Sequence, residues 1–377
     1  MNELNQLLKD LVAINSINPD LVSGAPGEAE IANFISQWLK QHGLEVQLVP
    51  SLKGRPNVIG IARGTGGGKT LVLNGHIDTV GVEGMPQPFE PAIKNNRLYG
   101  RGAYDMKGGV AACMSAVAAA RQHHLRGDVI FTAVVDEEYA GLGTMSIAQN
   151  LHADGAIVAE FTELQLILAH KGFVWLEVET TGRAAHGSRP DLGVDAIAKM
   201  GKVLVGVEKL DQELRSHPTH PRLGSGSLHA SLIKGGQELS SYPEHCVVSL
   251  ERRTLPGETP EMVEAELQEI LERLRHSDPS FKGMVRRGID RAPMETPENA
   301  PIVTAIKGAA AKVLPAPLQI SGVPFWTDAA TLWAKGIPTV LFGPAGGGAH
   351  AVEEWVDLAS VQTCAEIYLA TAIDFCR

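Results

Sequence analysis

Short apolar runs alternate with amphipathic stretches along the first 170 residues. Apolar residues at positions 4, 7, 8, 11 and 12 have helical spacing and predict an amphipathic first helix. Four later runs are apolar without polar alternation, which is typical of buried strands in a helix-covered sheet. They span residues 58–62, 70–73, 129–135 and 156–159. With a small-residue helix over residues 106–122, this alternation predicts an α/β fold.

The pattern changes after residue 172. Residues 173–181 alternate, with Val174, Leu176 and Val178 on one side of the predicted strand. A helix, two strands, a second helix and a last strand follow, over residues 195–214, 227–234, 245–254, 260–275 and 281–287. The order β-α-β-β-α-β is that of a ferredoxin-like α+β domain.

The first pattern resumes after Pro293. It continues with a helix over residues 300–313, a buried strand over 338–342 and a final helix over 358–375. We therefore expect a discontinuous α/β domain with a smaller α+β domain inserted into it. The predicted boundaries are residues 1–172 and 292–377 for the first domain and 173–291 for the second.

Composition and charge narrow the class of protein. The 377 residues carry 43 acidic and 33 basic side chains, and this excess of acid disfavours binding to nucleic acid. The longest apolar run, residues 108–120, is too short to span a membrane, and the N-terminal stretch lacks the apolar region of a signal peptide. The four cysteines lack C-x-x-C spacing, so we expect reduced thiols in a cytoplasmic protein.

Two segments resemble known motifs but depart from them. GTGGGKT at residues 64–70 is one residue too short for a phosphate-binding loop and precedes a strand, so we expect a surface hairpin loop there. HAVEE at residues 350–354 resembles the zinc motif H-x-x-E-H but has Glu354 in place of the second histidine.

Metal-ligating residue types gather after the predicted strands. They are His76, Asp78, Glu137, Glu138, Glu160 and His350, and Asp105 precedes the predicted small-residue helix. Taken singly, each has an ordinary structural interpretation, such as a helix N-cap for Asp105 or solvated loop carboxylates for Glu137 and Glu138. In open α/β sheets, however, the site lies outside the carboxyl ends of the strands. Two histidines and several carboxylates at that edge predict a divalent-metal site.

Five segments in a fixed order resemble one known family. The segments are GHIDTV, GRGAYDMKGG, DEEYAG, AHGSRP and GGGAHAVEEWV. In them the sequence resembles the M20 metallopeptidase/deacylase family, which includes acetylornithine deacetylase and succinyl-diaminopimelate desuccinylase. The resemblance covers essentially the whole chain. It implies a zinc-peptidase-like catalytic domain with an inserted lid and dimerisation domain.

The resemblance also implies a site for two divalent metal ions. One ion would take His76, Glu160 and one oxygen of Asp105, and the other would take Glu138, His350 and the second oxygen of Asp105. Two divalent cations, these three carboxylates and a bridging hydroxide would form a neutral cluster. Zinc is the expected metal, and cobalt and manganese also suit such ligands.

The remaining residues near the expected metal site acquire roles from the same resemblance. Glu137 would be the general base that takes a proton from the metal-bridged water and gives it to the leaving amine. Asp78 would orient the imidazole of His76. The family also often has a cis peptide bond after the bridging aspartate, here between Asp105 and Met106.

Three residues of the inserted domain match family positions whose side chains contact the substrate. His186 matches a histidine that reaches the active site of a neighbouring subunit and stabilises the oxyanion, which implies a homodimer. Arg253 matches an arginine that binds a substrate carboxylate, although the adjacent Arg252 leaves that choice open. Ser240 stands where the family often has asparagine, so the polar contacts of the lid with substrate are expected to differ.

The leading hypothesis is a cytoplasmic, homodimeric enzyme that removes an acetyl- or succinyl-type group from the nitrogen of an amino acid. The alternative is a dipeptidase or carboxypeptidase on the same scaffold. A catalytically silent binding protein is disfavoured, because all five ligand positions, Glu137 and His186 are present. The expected partners are a small N-acyl amino acid or dipeptide and a second copy of the chain, without nucleic acid or membrane.

Overall fold

The chain, described by a computed structural model over residues 2–377, divides into two compact units. The first comprises the described residues up to Leu168 together with Thr296–Ser321 and Thr327–Arg377. The second comprises Ala169–Glu295 and Gly322–Trp326. The first unit is therefore built from chain segments that precede and follow the second unit in sequence.

The helices and strands follow one another along the chain in this order. Up to the first passage between units they are α1 (Glu3–Ala13), α2 (Ala29–Gln41), β1 (Glu45–Leu52), β2 (Arg55–Ala62), β3 (Leu71–His76), β4 (Ala92–Lys94), β5 (Arg97–Tyr99), α3 (Gly108–Ala120), β6 (Val129–Val134), α4 (Leu142–Ala148), β7 (Gly155–Val158) and β8 (Leu166–His170). The second unit adds β9 (Gly172–Thr181), α5 (Ala196–Ser216), β10 (Ser227–Gly235), β11 (His245–Thr254), α6 (Pro260–Ser277), β12 (Gly283–Arg291) and β13 (Met294–Glu295). The last part contains α7 (Pro301–Val313), β14 (Ile320–Val323), α8 (Ala329–Ala334), β15 (Thr339–Leu341), β16 (Gly346–Gly347), β17 (Trp355–Asp357) and α9 (Leu358–Phe375).

The main sheet has the strand order β1-β2-β6-β3-β7-β15-β8, with β13 and β14 paired to β8. The strands β6, β3, β7 and β15 are parallel to one another, whereas β1, β2 and β8 run antiparallel to their neighbours. β3, β6 and β7 are buried along their whole length, which explains their continuous apolar sequences. The predicted α/β fold is confirmed.

The expectation of a hairpin at residues 64–70 is wrong. The strands β2 and β3, which this loop connects, do not pair with each other. Each pairs with β6, which lies between them in the sheet. The sequence between two strands shows that a turn exists, but a later strand that enters between them leaves no local signal.

The helix α3 lies close against the sheet because its residues are small. It begins at Gly108 and ends at Ala120, two residues inside the predicted range at each end. A Cβ at Gly109 would lie 2.0 Å from the carbonyl oxygen of Ala159, so only glycine allows this approach. The close packing places the start of α3 next to the residue that follows β7.

The second unit has the predicted order β-α-β-β-α-β. Its antiparallel sheet has the strand order β10-β11-β9-β12, and its core includes Val174, Leu176 and Val178 on one face of β9, as predicted. The last strand begins at Gly283 and not at Phe281, because Phe281 closes a turn on Asp278 and packs into the core of the unit.

The four cysteines are unpaired and buried, in agreement with the prediction of free thiols. Across residues 2–377, no helix combines the length and the apolar character that crossing a lipid bilayer requires.

Candidate metal centre and active site

The metal-ligating residue types lie at the carboxyl ends of the four parallel strands. His76 is the last residue of β3, Glu137 and Glu138 follow β6, and Glu160 follows β7. His350 lies farther along the chain from β15, on the loop between β16 and β17. Parallel strands end at one edge of a sheet, so chain segments far apart in sequence meet there. The structure thus brings these side chains together.

Asp105 lies between the two histidines. Its Oδ1 is 3.0 Å from Nε2 of His76, and its Oδ2 is 3.2 Å from Nε2 of His350. The N-cap residue of α3 is Lys107, so the interpretation of Asp105 as a helix cap is wrong. The peptide bond between Asp105 and Met106 is cis, as expected. One carboxylate therefore presents a different oxygen atom to each imidazole.

The other donors surround this arrangement. Oε2 of Glu138 lies 3.0 Å from Nε2 of His350, and Oε1 of Glu160 lies 3.8 Å from Nε2 of His76. Oε1 of Glu138 is buried without a hydrogen-bond partner among the described residues. Ligand atoms of His76, Glu137 and Glu160 lie within 4.8 Å of one another, as do those of His76, Asp105 and Glu138. A buried lone oxygen in a set of nitrogen and oxygen donors fits a metal site.

The electrostatics of the cluster support the same interpretation. Burial raises the pKa of Glu160 to about 8, and burial with the nearby Asp105 charge raises the pKa of Glu138 to about 7. Hydrogen bonds with Asp105 and Glu138 raise the pKa of His350 to about 10. The chain therefore has more buried carboxylate than its own cations neutralise there. Divalent ions held by His76, Asp105, Glu138, Glu160 and His350 would supply the missing positive charge.

Glu137 is also inside the cluster. Its side chain is 11% exposed, and its Oε2 lies 4.0 Å from Nε2 of His76. Burial raises its pKa well above the ordinary value, which favours a group that accepts a proton. Its distance to His76 does not separate a base from a ligand, so the role of Glu137 as general base stays a prediction.

Asp78 connects the two sides of the cluster. Its Oδ1 accepts a hydrogen bond from the backbone N–H of Glu137, and its Oδ2 accepts one from the backbone N–H of Glu138. Nδ1 of His76 lies 3.1 Å from the backbone oxygen of Asp78 and 3.5 Å from Oδ1. Asp78 thus holds both the imidazole of His76 and the loop that carries the two glutamates.

A buried ionic network, which no pattern in the sequence indicates, lies behind that loop. Arg55 donates to both carboxylate oxygens of Glu28, at 2.6 and 2.7 Å, and to Asp136 at 3.2 Å. Asn18 donates to Asp136 and to Asp78. Asp136 has a φ of 69°, a left-handed conformation that is uncommon for residues other than glycine. The network holds this turn immediately before Glu137.

Replacing Arg55 with methionine is expected to lower the free energy of unfolding by about 3–5 kcal/mol, because Glu28 and Asp136 would remain buried without their cation. Arg63 offers a matched control. It also pairs with two acids, Glu45 and Asp128, but it is 54% exposed, so Arg63→Met should cost about 1 kcal/mol or less. Urea unfolding of both variants would measure this difference in the free energy of unfolding. Equal unfolding midpoints would contradict the stabilising role of the buried Arg55 network.

In the second unit, His186 and Ser240 lie together. Both are exposed, the N–H of Gly187 donates to the backbone oxygen of Ser240 at 2.7 Å, and Nδ1 of His186 lies 2.8 Å from the hydroxyl of Ser188. Arg253 lies near the other end of this sheet, opposite Phe173 at the start of β9, whereas Thr181 at the end of β9 pairs with His245. At about 3.4 Å per residue, these pairs are about 27 Å apart.

The two adjacent arginines differ in environment. Arg252 is fully buried and pairs with Glu258 and Glu266, which marks it as a structural cation. Arg253 is 31% exposed, and its Nε donates to Glu251. Of the two, only Arg253 presents its guanidinium to solvent, and its contact with a substrate stays a prediction.

The comparison with known protein families agrees with this arrangement. The model of peptidase family M20/M25/M40 matches residues 72–374. The chain belongs to this family. Its predicted membership is therefore confirmed, and so is the prediction of an enzyme: the protein is a metal-dependent hydrolase of amide bonds. Two divalent ions agree with the family and with the donor set.

Relatives of known activity align over nearly the whole M20 chain. It is 30% identical to the N-formyl-4-amino-5-aminomethyl-2-methylpyrimidine deformylase of Bacillus subtilis, over 99% of this chain and 95% of that protein. It is 28% identical to an acetylornithine deacetylase of Photorhabdus laumondii, over 98% and 97%. Its fold resembles that of a dinuclear metal-binding M20 peptidase of Bacillus subtilis, with a TM-score of 0.78 and 16% identity over 99% and 97% of the two chains.

Proposed function

We propose that this M20 protein removes an acyl group from the nitrogen of a small molecule, with N-acyl amino acids as the substrate class. The observation that carries the proposal is the cluster in which the buried Asp105 lies between the buried His76 and the more exposed His350. The similarity to a deformylase and to an acetylornithine deacetylase favours an acyl group as the part that is removed. A peptidase of the same scaffold is the alternative.

The side chains of the cluster suit this reaction. His76, Asp105, Glu138, Glu160 and His350 would hold two divalent ions, which we propose to be zinc because the donors are nitrogen and oxygen atoms. Such ions supply Lewis acidity toward the amide carbonyl and the attacking water. Glu137 would take a proton from that water and pass it to the nitrogen that leaves. Its side chain is only 11% exposed, so little solvent reaches this carboxylate between the two steps.

A substrate panel tests the proposal. The protein loaded with zinc would be given N-acetyl-ornithine, N-succinyl-diaminopimelate, N-formyl and other N-acyl amino acids, and several dipeptides. We expect release of a free amine from at least one N-acyl compound, with the activity lost on chelation. Cleavage confined to dipeptides would favour the peptidase. No turnover by protein that holds two ions would contradict both assignments.

We further propose that the protein works as a homodimer. Within one chain, the ends of the second-unit sheet that carry Arg253 and His186 are about 27 Å apart, too far for both to contact one small substrate. A second copy would supply the missing histidine. The edge strand β10 supports such pairing, because Leu232 and Ile233 on it are 71% and 57% exposed.

Mixed dimers provide the test. Glu137→Gln and His186→Ala are each expected to be nearly inactive alone. In a dimer that contains one chain of each kind, one site has both an intact Glu137 and the partner's intact histidine. Co-expression should therefore restore about a quarter of the wild-type activity, since half of the dimers are mixed and each has one intact site. If His186 serves its own chain, the mixture will stay inactive.

The cytoplasm is the proposed location. Its support is the state of Cys113, Cys246, Cys364 and Cys376, which are all unpaired, as is usual where thiols are kept reduced.

A further inference from the structure

One fully buried carboxylate outside the proposed ligand set contacts the turn that carries Asp105. Oε1 of Glu354 accepts hydrogen bonds from the backbone N–H groups of Tyr104 and Asp105, at 2.9 and 3.0 Å. Its Oε2 accepts one from the backbone N–H of Gly102 at 3.0 Å and one from Nη1 of Arg101 at 2.7 Å. Its side chain has no exposed surface. A single side chain thus satisfies three backbone donors of one turn.

This arrangement fixes the direction in which Asp105 points. The turn at Ala103–Lys107 departs from regular helical geometry at Asp105 and Met106, so a continuing helix does not position Asp105. The hydrogen bonds of Glu354 reach the N–H of Asp105 itself and of the residue before it. From this turn, the two oxygens of Asp105 face His76 and His350.

The position of Glu354 along the chain adds a second link. It lies four residues after His350, and the backbone oxygen of Ala351, between them, accepts a hydrogen bond from Nη2 of Arg101. One short segment therefore carries a proposed ligand of one ion and also holds the carboxylate that both ions would share. Glu354 occupies the place of the second histidine in the H-x-x-E-H motif, but it contacts backbone N–H groups.

We infer that Glu354, with Arg101 as its counter-ion, is a positioning residue for the metal centre and acts through the backbone of Asp105. The inference rests on the proposed function, since it presupposes that Asp105 binds both ions. A carboxylate suits this task because it only accepts hydrogen bonds, and all four of its contacts are donors.

The test is metal binding by the full chain without substrate. Glu354→Gln keeps the shape of the side chain but turns an NH₂ group toward two of the four donors. Calorimetric titration of the metal-free variant with zinc should show an affinity for the ions about 10- to 100-fold lower than that of the wild type. The matched control is Glu353→Gln, because Glu353 is adjacent and exposed. It should bind zinc as the wild type does.

The outcomes separate the inference from the proposed function. Wild-type protein that binds fewer than two ions would contradict the metal centre itself, and with it the inference. Two ions in the wild type and equal affinity in both variants would overturn only the role of Glu354. A lower melting temperature of metal-free Glu354→Gln without a change in zinc affinity would indicate a purely structural residue and would also overturn it.

A second variant keeps the test decisive if Glu354→Gln does not fold. Arg101→Gln removes one of the four donors and leaves the three backbone hydrogen bonds in place. It should weaken zinc binding in the same direction by a smaller factor. Unchanged affinity in this variant would overturn the assignment of Arg101 as counter-ion and of Glu354 as a charged positioning group.

Discussion

Replacing Glu137 with glutamine is expected to lower kcat by about 10²- to 10⁴-fold, the range that a general base contributes. Glutamine has nearly the same shape as glutamate but cannot take a proton from water. The backbone N–H of residue 137 would still donate to Asp78, so the loop should keep its conformation. The number of zinc ions bound per chain should therefore stay at two.

Metal content decides between the two possible roles of Glu137. A carboxylate oxygen of Glu137 lies within 4.8 Å of ligand atoms of His76 and Glu160, so Glu137 is also placed to bind an ion. If Glu137 were a metal ligand, its substitution would lower the activity of the enzyme as well. Loss of an ion together with activity would contradict the role of base, whereas loss of activity alone would support it. Glu30→Gln is a suitable control, because Glu30 is exposed and lies on α2, which contributes no residue to the cluster. Atomic emission and steady-state kinetics on the same samples would give both values.

Replacing Asp105 with alanine is expected to remove both ions and to lower kcat/KM by about 10³-fold or more. Its two oxygens face different histidines, so the substitution would take one ligand from each ion. The charge stabilisation that bound metal gives a transition state is worth several kcal/mol, and each 1.36 kcal/mol is a factor of ten in rate.

A comparison with Glu160→Ala makes this prediction specific. Of the two histidines, Glu160 pairs with His76 only, so its loss should cost one ion and leave the other bound. Metal content after dialysis would then be two ions for the wild type, one for Glu160→Ala and none for Asp105→Ala. If Asp105→Ala retained a tightly bound ion, Asp105 would not be a shared ligand.

In the main sheet, the strands that the sequence predicted most directly are those buried on both faces. β3, β6 and β7 have no polar alternation because no face of these strands meets water. By contrast, β1 at the sheet edge is mostly exposed or half-buried and has no such signal. The order of strands in space was also invisible, as the loop at residues 64–70 shows. Local sequence does not record which distant strand enters between two neighbours.

The residues of the candidate site also divide into those that could be predicted from the sequence and those that could not. His76, Glu137, Glu138 and Glu160 were accessible to prediction, because each directly follows an apolar run. The groups that hold them in place were not. Glu354 is 249 positions away from Asp105 along the chain, and Arg55 is 81 positions away from Asp136. A hydrogen bond or salt bridge between residues so far apart in sequence depends on the completed fold, so no spacing rule points to it.

The strand order of the first unit also sets when the active centre can form during protein synthesis. β15 lies between β7 and β8 in the sheet, yet the ribosome makes it about 180 residues after β7. At 5–20 residues per second, that is a delay of roughly 10–40 s. Until then the sheet is open beside β7, and His350 has not been made. The nascent chain therefore passes through a stage in which the inserted unit is complete but the centre still lacks a proposed ligand of one of its two ions.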